Sequence, residues 1–517
     1  MGPLSYGIRL DLVLVNPGSR MEVYQSLGRE LVAIEPPVWA GMIATFIRHK
    51  GFSVRILDAN AEDLTPEETA QRIVEMNPLL VAVVVYGHNP SASTQTMPAA
   101  GAICAAVKQA APQQKTILVG GHVASLPERT LMEEKADFVA GGEGPVTVWE
   151  LIQALKSNRP EELSKVQGLW YREGKTICSN PPAPLVKDLD QEMEGVAWDL
   201  LPMEKYRAHN WHCFGDLKRQ PYASICTTLG CPYHCTFCCI QAPFKEGEKF
   251  QGLRESVNSY RYWSSDTVLQ QIDLLVQRYG VRNIKFSDEM FVLNPTHVLG
   301  ICDRLIERGY SLNIWAYARV DTVRDGMLDK LKQAGFHWLG FGIESASERV
   351  RDDAKKAFGQ NLIFQTLEAV RRAGIYIGAN YIFGLPEDNQ ETMQQTLEMA
   401  LQVNAEWANF YCAMAYPGSA LHTTTLREGW PLPERWSGYS QYSVDTLPLP
   451  TRHLSASEVL RFRDEAFQTY FAHPSYLQII TQRFGPETAK HIQQMASHRL
   501  VRRYIPKSDP VIATQGG

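Results

Sequence analysis

Residues 222–239 read YASICTTLGCPYHCTFCC. YASICTT has the composition of a strand, and it runs directly into a loop that holds Cys231, Cys235 and Cys238 at C-x3-C-x2-C spacing. Cys239 adjoins the triple. Downstream the strand-then-helix pattern repeats. Strand candidates are NIKFSDE (283–289), LNIWAYAR (312–319), WLGFGIES (338–345), YIGANYIFG (376–384) and WANFYCAMAY (407–416). Helices are predicted over Asp266–Tyr279, with Ser265 or Asp266 as cap, and over Pro295–Arg308, Gly326–Ala334, Asn361–Ala373 and Asn389–Val403. Such a series of βα units implies a closed or partly closed parallel barrel, whose active residues belong at the carboxyl ends of its strands.

Upstream lies a different α/β unit. LDLVLVN (10–16), SVRILDA (53–59), LLVAVVV (79–85), TILVGG (116–121) and DFVAGG (137–142) are apolar nearly throughout, as parallel strands buried on both faces are. Amphipathic helices are predicted near Val38–His49, Pro66–Met76 and Thr94–Ala110. Thr65, Pro66 and Glu68 form a capping box with proline at the first helical position. The expected architecture is a doubly wound domain of about five strands that binds its ligand at the strand ends. Those ends carry Gly87-His88-Asn89-Pro90-Ser91, then Gly120-Gly121-His122, then Gly141-Gly142-Glu143-Gly144. Three glycine loops on one sheet edge favour a large planar or nucleotide-like ligand. No G-x-G-x-x-G follows the first strand, which weakens a nicotinamide or flavin reading.

The expected organisation is therefore an α/β domain over residues 1–158, a proline-rich linker over 159–220 with a short hairpin near Gly168–Ile177, a barrel over 221–425 and a mainly helical extension over 426–517. Helices Ser455–Ala472 and Pro486–His498 belong to the extension, which covers the barrel, and the final SDPVIATQGG is expected to be disordered. A chain of 517 residues with 44% hydrophobic and 21% charged residues is globular and multidomain. Its net charge of −5 without a long basic run gives no sign of nucleic-acid binding. The N-terminus lacks a signal-peptide layout, and PLLVAVVVYG is roughly half the length of a membrane span. A cytoplasmic location is expected, where clustered cysteines mean metal or redox chemistry rather than disulfides.

Three thiolates can hold three irons of a four-iron cluster and leave one iron open, and an open position is what a catalytic metal site needs. The alternative is zinc, with Cys226 or Cys239 as a fourth ligand. Zinc sites usually pair two separated C-x-x-C elements, and this loop lacks the second.

The stretch from Gly230 to Cys238 resembles the cluster motif of the radical S-adenosylmethionine (SAM) superfamily. The resemblance implies that Cys231, Cys235 and Cys238 hold a 4Fe–4S cluster and that SAM chelates the open iron. An electron from the cluster would then release a 5′-deoxyadenosyl radical. It places Phe237 against the adenine, Asp288 and Glu289 at the SAM amine, and Arg319 at its carboxylate. Glu344 and Ser345 would lie near the ribose and methionine, and Asn380 near the adenine, where the family usually has glycine. Glu387 and the Tyr416-Pro417-Gly418-Ser419 turn fill further motif positions.

An α/β domain ahead of such a barrel resembles the cobalamin-binding branch of the superfamily, through GGHVASLPERTL, DFVAGGEGPVTVWELIQAL, Asp188-Leu189-Asp190 and Trp198–Pro202. The resemblance spans roughly residues 10–425. It implies cobalamin contacts from Asn89, Ser91, Gly120, Gly121, Ser125, Gly142 and Glu143. No D-x-H-x-x-G motif is present to supply a histidine to cobalt, and His88 and His122 read as loop residues. The implied activity is methylation of an unactivated carbon of a small molecule, with an external flavodoxin- or ferredoxin-type electron donor. A cyclase or oxidative enzyme using the same cofactors, and a non-enzymatic sensor, are the alternatives. Trp430, Trp436, Tyr439 and Tyr442 are candidates to close the pocket, and Cys239 and Cys412 read as buried thiols rather than ligands or hydrogen donors.

Overall fold

The computed structural model describes residues 9–28, 32–87, 89–215, 218–324 and 326–505. His88 and the last ten residues lie outside them. The first sheet comprises β1 (Leu12–Asn16), β2 (Val54–Asp58), β3 (Leu80–Val84), β4 (Lys115–Val119), β5 (Phe138–Ala140), β6 (Leu169–Glu173) and β7 (Thr176–Ser179). Their order is β2-β1-β3-β4-β5-β6-β7. β1 to β5 are parallel and fall within the predicted strand segments, except that β4 begins one residue earlier, at Lys115. The hairpin expected within the linker forms, and it extends the first sheet: β6 runs antiparallel to β5, with Val139 opposite Trp170. Edge hydrogen bonding explains this, because β5 would otherwise leave its outer backbone groups unpaired.

Helices Val38–His49 and Pro66–Met76 form at the predicted residues. The capping box closes, with Glu68 N donating to Thr65 Oγ1 at 3.2 Å and Thr65 N to Glu68 Oε2 at 2.9 Å. The next helix begins at Ala92, two residues before Thr94. Its first N–H is taken by the Asn89 carboxamide at 2.9 Å, a capping signal that lies outside the amphipathic run.

The second sheet comprises β8 (Tyr222–Ile225), β11 (Asn283–Phe286), β12 (Asn313–Ala318), β13 (Phe336–Glu344), β14 (Tyr376–Phe383) and β15 (Trp407–Cys412). Between β8 and β11 lies a two-residue antiparallel pair, β9 (Thr228–Leu229) with β10 (Arg261–Tyr262). The six barrel strands are parallel in the order β15-β14-β13-β12-β11-β8, so the barrel is open between β15 and β8. Helix Ser265–Tyr279 is capped by Ser264 and not by Ser265 or Asp266. Ser264 has extended backbone, and its hydroxyl accepts from Thr267 N at 3.2 Å.

The unpaired edge of β15 is covered by the C-terminal extension. Gln441 Oε1 accepts from Cys412 N at 2.8 Å, Gln441 Nε2 donates to Cys412 O at 3.0 Å, and Arg463 Nε donates to Phe410 O at 2.7 Å. This is how an edge strand is kept from pairing with another chain. The amino-terminal end of the barrel is filled by Trp211 from the linker, set edge-on to Trp315 and Trp338. An unpredicted helix, Pro474–Phe484, adds Phe484 stacked on Trp338. Among the described residues no helix is long and apolar enough to cross a membrane.

Asp58 ties the linker to the first sheet. It is buried at the end of β2 and accepts from Asn16 Nδ2 (2.7 Å), Ala61 N (3.0 Å) and Tyr206 OH (2.8 Å). Burial pushes its carboxyl from 3.8 up to about 6, with these donors opposing the rise. A raised carboxyl contributes stability that is complete below the unfolded value and is lost as pH climbs through the folded one. The gap in melting temperature between the parent protein and Asp58→Asn should therefore shift against the parent as pH rises from 3.8 through about 6, then level off. A difference that does not vary with pH would contradict this.

Candidate active site

The carboxyl ends of both sheets open on one cavity of about 2000 Å³. Single small-molecule sites usually occupy roughly 300–1,000 Å³, so this chamber has room for more than one large ligand. Cys231, Cys235, Phe237 and Cys238 line it from the barrel, and Asn89 and Ser91 line it from the first domain. A second cavity of about 80 Å³ lies at the ends of β1 and β3, where the strand order reverses, and it shares Tyr24 and Gln95 with the chamber. A strand-order reversal is where doubly wound sheets bind ligands.

The cysteine loop is held by polar groups that its own sequence does not announce. Cys231 N donates to Gln241 Oε1 at 3.1 Å, and Gln241 Nε2 donates to Glu248 Oε1 and Ser259 O. Asn258 Nδ2 donates to the carbonyls of Cys231 (3.0 Å) and Tyr233 (2.8 Å). Thr236 N donates to Ala354 O at 3.1 Å, which fixes the far side of the loop to the segment after β13. Burial pushes the Cys231 thiol up to about 12 and raises the Cys238 thiol as well. Bound iron is the kind of charge that reverses such a shift and keeps a thiol ionised. Three cysteines lining one chamber from a braced loop are a donor set that suits a cluster with an open iron. Cys239 also lines the chamber, and its thiol is raised to about 12.

The barrel residues predicted to meet SAM divide into two groups. Phe237 faces the chamber and packs in one apolar group with Ile382 and Leu385 at the end of β14. Glu289 lines the chamber, and burial raises its carboxyl to about 7. Glu344 has φ +65° where the β13–β14 register shifts. A bulge re-aims a side chain, and the left-handed backbone of a glutamate is a strained feature of the kind found at functional sites. Its carboxylate is paired with Lys356, whose ammonium sits 6.0 Å from the Phe237 ring centroid. Asn380 faces the chamber, with its Oδ1 accepting from Asn409 Nδ2 at 2.8 Å. Arg319 faces it too, but its guanidinium already grips Asp321 through two 2.9 Å bonds and stacks 3.9 Å from the Tyr233 centroid. Its Nη1 lies 3.7 Å from Cys235 Sγ.

Asp288 and Ser345 belong to the second group, outside the chamber lining. Asp288 Oδ1 accepts from Thr227 N (2.9 Å), Thr227 Oγ1 (2.9 Å) and Thr228 Oγ1 (2.6 Å), which clamps the end of β8 as it enters the cysteine loop. Burial raises this carboxyl to about 6. Ser345 points to Thr396 and braces the turn after β13. Glu387 pairs with Arg349 and Arg452 near the surface. Asp288 and Glu289 both lie beyond the end of β11 at Phe286, and the turn there separates these neighbours, for which the resemblance implied one role. Asp288→Asn should lower stability by about 1–3 kcal/mol, the cost of a disturbed buried hydrogen-bond cluster, with SAM affinity little changed. Glu289→Gln should weaken SAM binding. Equilibrium dialysis with radiolabelled SAM reads both, and the reverse pattern would assign Asp288 to the ligand.

On the first domain, Gly120, Gly121, Ser125, Gly142 and Glu143 also lie outside the chamber lining. Gly120 is packed so tightly that a side chain would overlap the Val85 carbonyl. Gly121 opens a short helix and meets Ser93. Ser125 Oγ donates to Gly121 O at 2.7 Å and borders Gly418 of the barrel. Gly142 approaches Pro243 O, and Glu143 forms a 2.7 Å ion pair with Arg261 on β10. Ser125, Gly142 and Glu143 thus meet the barrel half, whereas Gly120 and Gly121 pack within the first domain. His122 is buried edge-on to Trp436, and burial lowers its imidazole to about 3, so it is neutral. Of the four tail aromatics expected to close the pocket, Tyr442 lines the chamber. Trp436 instead anchors the extension, its Nε1 donating to Glu133 Oε2 at 3.0 Å.

Sequence reasoning missed Lys356, Asp321, Gln241 and Asn258. Asp321 was within reach, two residues after Arg319. Lys356 was not, because the left-handed turn at Lys355 (φ +53°) precedes Lys356, whose side chain meets Glu344 in the chamber.

Residues 24–152 match the family model described as the B12 binding domain, and residues 225–400 match that of the radical SAM superfamily. The chain is 27% identical over 469 residues to an uncharacterized methyltransferase of Pyrococcus horikoshii, spanning 90% of this chain and 94% of that protein. It is 25% identical over 462 residues to the anaerobic magnesium-protoporphyrin IX monomethyl ester cyclase of Cereibacter sphaeroides, spanning 87% and 68%. Among solved structures, a radical S-adenosylmethionine methyltransferase from Kitasatospora setae, with cobalamin and a 4Fe–4S cluster bound, superposes with a TM-score of 0.65 at 16% identity. That match spans 90% of this chain and 89% of that one, and at such identity the likeness is one of fold.

Proposed function

We propose that this chain, a cobalamin-binding radical SAM enzyme whose cofactors are a 4Fe–4S cluster, SAM and cobalamin, methylates an unactivated carbon of a small-molecule intermediate. The observation that carries the reading is the single chamber, which takes in both the cysteine loop and the strand-end residues Asn89 and Ser91. When bound, the cluster reduces SAM to yield a 5′-deoxyadenosyl radical and cobalamin carries the methyl group. A substrate between the two would meet both. A primary radical reacts with nearly any C–H bond, so the walls must exclude water and fix the substrate.

The residues divide the work as follows. Cys231, Cys235 and Cys238 ligate three irons and leave the fourth for SAM. Phe237 and Ile382, backed by Leu385, give the adenine an apolar seat. Glu289 receives the SAM amine, and Arg319, steadied by Asp321, faces the carboxylate. Glu344 would accept from the ribose hydroxyls with Lys356 holding its orientation, and Asn380 would lie near the adenine. Asn89 and Ser91 contact the corrin from the first domain.

The test uses SAM labelled at its methyl group, with the reconstituted protein, a flavodoxin- or ferredoxin-type reductant and a cell extract depleted of SAM. Label in a product together with 5′-deoxyadenosine supports methyl transfer. The cyclase among the relatives motivates a second reading, ring formation. That reading predicts 5′-deoxyadenosine with no label in the product.

A further inference from the structure

We infer that the chamber contains an anion site on the C-terminal extension, centred on Arg463, and that the substrate carries a carboxylate or phosphate group. The inference rests on reading the chamber as the reaction site.

Arg463 lies on helix Ala456–Phe471 and lines the chamber with only 3% of its side chain exposed. Its Nε donates to Phe410 O at 2.7 Å and its Nη1 to Asp464 Oδ1 at 2.9 Å. No hydrogen bond among the described residues uses its Nη2. Asp464 is shared: Arg502, with 3% of its side chain exposed, grips both oxygens at 2.9 and 2.8 Å. Arg502 also donates through Nη1 to Gln441 O, Ser443 O and Thr446 Oγ1, so each of its three nitrogens has an acceptor. Two buried guanidinium groups therefore share one carboxylate, that of Asp464, whose side chain is 28% exposed. Gln441 and Tyr442 line the chamber beside them, with the Arg463 carbon 5.1 Å from the Tyr442 ring centroid.

Buried charge without a partner is costly, and a guanidinium fork matches the planar oxygens of a carboxylate or phosphate. A substrate anion on Nη2 would balance the cluster. Tyr24, Tyr317, Tyr411 and Tyr442 line the same chamber, with Tyr24 and Tyr442 at 5.4 Å between centroids. That wall suits a flat, unsaturated body behind the anion.

The test is calorimetric titration of the anaerobically reconstituted holoprotein with 2-naphthoate, 2-naphthyl phosphate and the neutral isostere 2-naphthamide. At least one anion should bind 10-fold or more tighter than the amide, and which anion does so separates carboxylate from phosphate. Arg463→Gln should bring both anions to the level of the amide, and Arg463→Lys should keep part of the preference. Equal binding of anions and amide, no binding of any, or an unchanged preference in Arg463→Gln would overturn the inference. Should Arg463→Gln not fold, the parent protein and Arg463→Lys decide alone. Anion preference without methyl transfer would fail the reaction reading and keep this site, and methyl transfer without anion preference would do the reverse.

Discussion

Alanine at Cys231, Cys235 or Cys238 should abolish the visible charge-transfer absorbance of the reconstituted protein and its reductive cleavage of SAM. The loss should exceed about 100-fold, beyond the 10- to 100-fold typical of losing a supporting partner around a metal. Each thiolate is an iron ligand in this account, and removing one leaves an iron without its protein bond. Cys239→Ala is the discriminating control. Cys239 is buried beside the triple and lines the same chamber, yet it lies outside the C-x3-C-x2-C spacing. Its replacement should leave iron content and SAM cleavage intact and cost about 1 kcal/mol of stability from the lost packing. Loss of iron in Cys239→Ala would instead revive a four-cysteine site.

Gly230→Ala should be nearly as damaging while leaving every cysteine in place. Gly230 has φ +85°, and a side chain there would overlap the Ser259 carbonyl and press on Gln241. Gln241 is the residue that accepts from Cys231 N, so the overlap is transmitted directly to the first ligand. The positive φ alone costs about 1–3 kcal/mol in a residue with a side chain, and the overlap adds to it. Gly252 provides the internal control: its φ is +75°, and nothing lies within 4 Å of an added side chain. Gly252→Ala should lower the melting temperature modestly and hold a full complement of iron. Iron analysis and thermal melts of the two variants separate backbone strain from collapse of the loop. Equal iron content in both would mean that the Gln241–Ser259 brace does not govern the cluster.

The architecture was legible because both halves rest on short-range patterns. Apolar runs at β1 to β5 mark buried parallel strands, and the strand-to-cysteine junction at β8 marks where the barrel begins. What sequence reasoning missed depends on three-dimensional pairing. The hairpin β6–β7 looked like linker because nothing local says that β5 needs an edge partner. Asp288 and Glu289 are adjacent in the chain, but one clamps Thr227 and Thr228 while the other faces the chamber. Glu143 occupied a ligand-like glycine loop, and it forms an ion pair with Arg261, far along the chain. Arg463 was unreadable because its acceptors are the carbonyl of Phe410 and a carboxylate shared with Arg502. Such residues are found by asking where a buried charge or an unpaired strand edge finds its partner.

In the proposed reading the cluster and cobalamin face one another across a single chamber. Electron paramagnetic resonance of the reduced protein reads their proximity, with the cluster and cobalt(II) cobalamin loaded separately and then together. The account predicts that the doubly loaded protein shows mutual broadening and faster relaxation of the two signals, and that SAM changes the cluster signal. A spectrum equal to the sum of the two single-cofactor spectra, with relaxation unaltered, would contradict it.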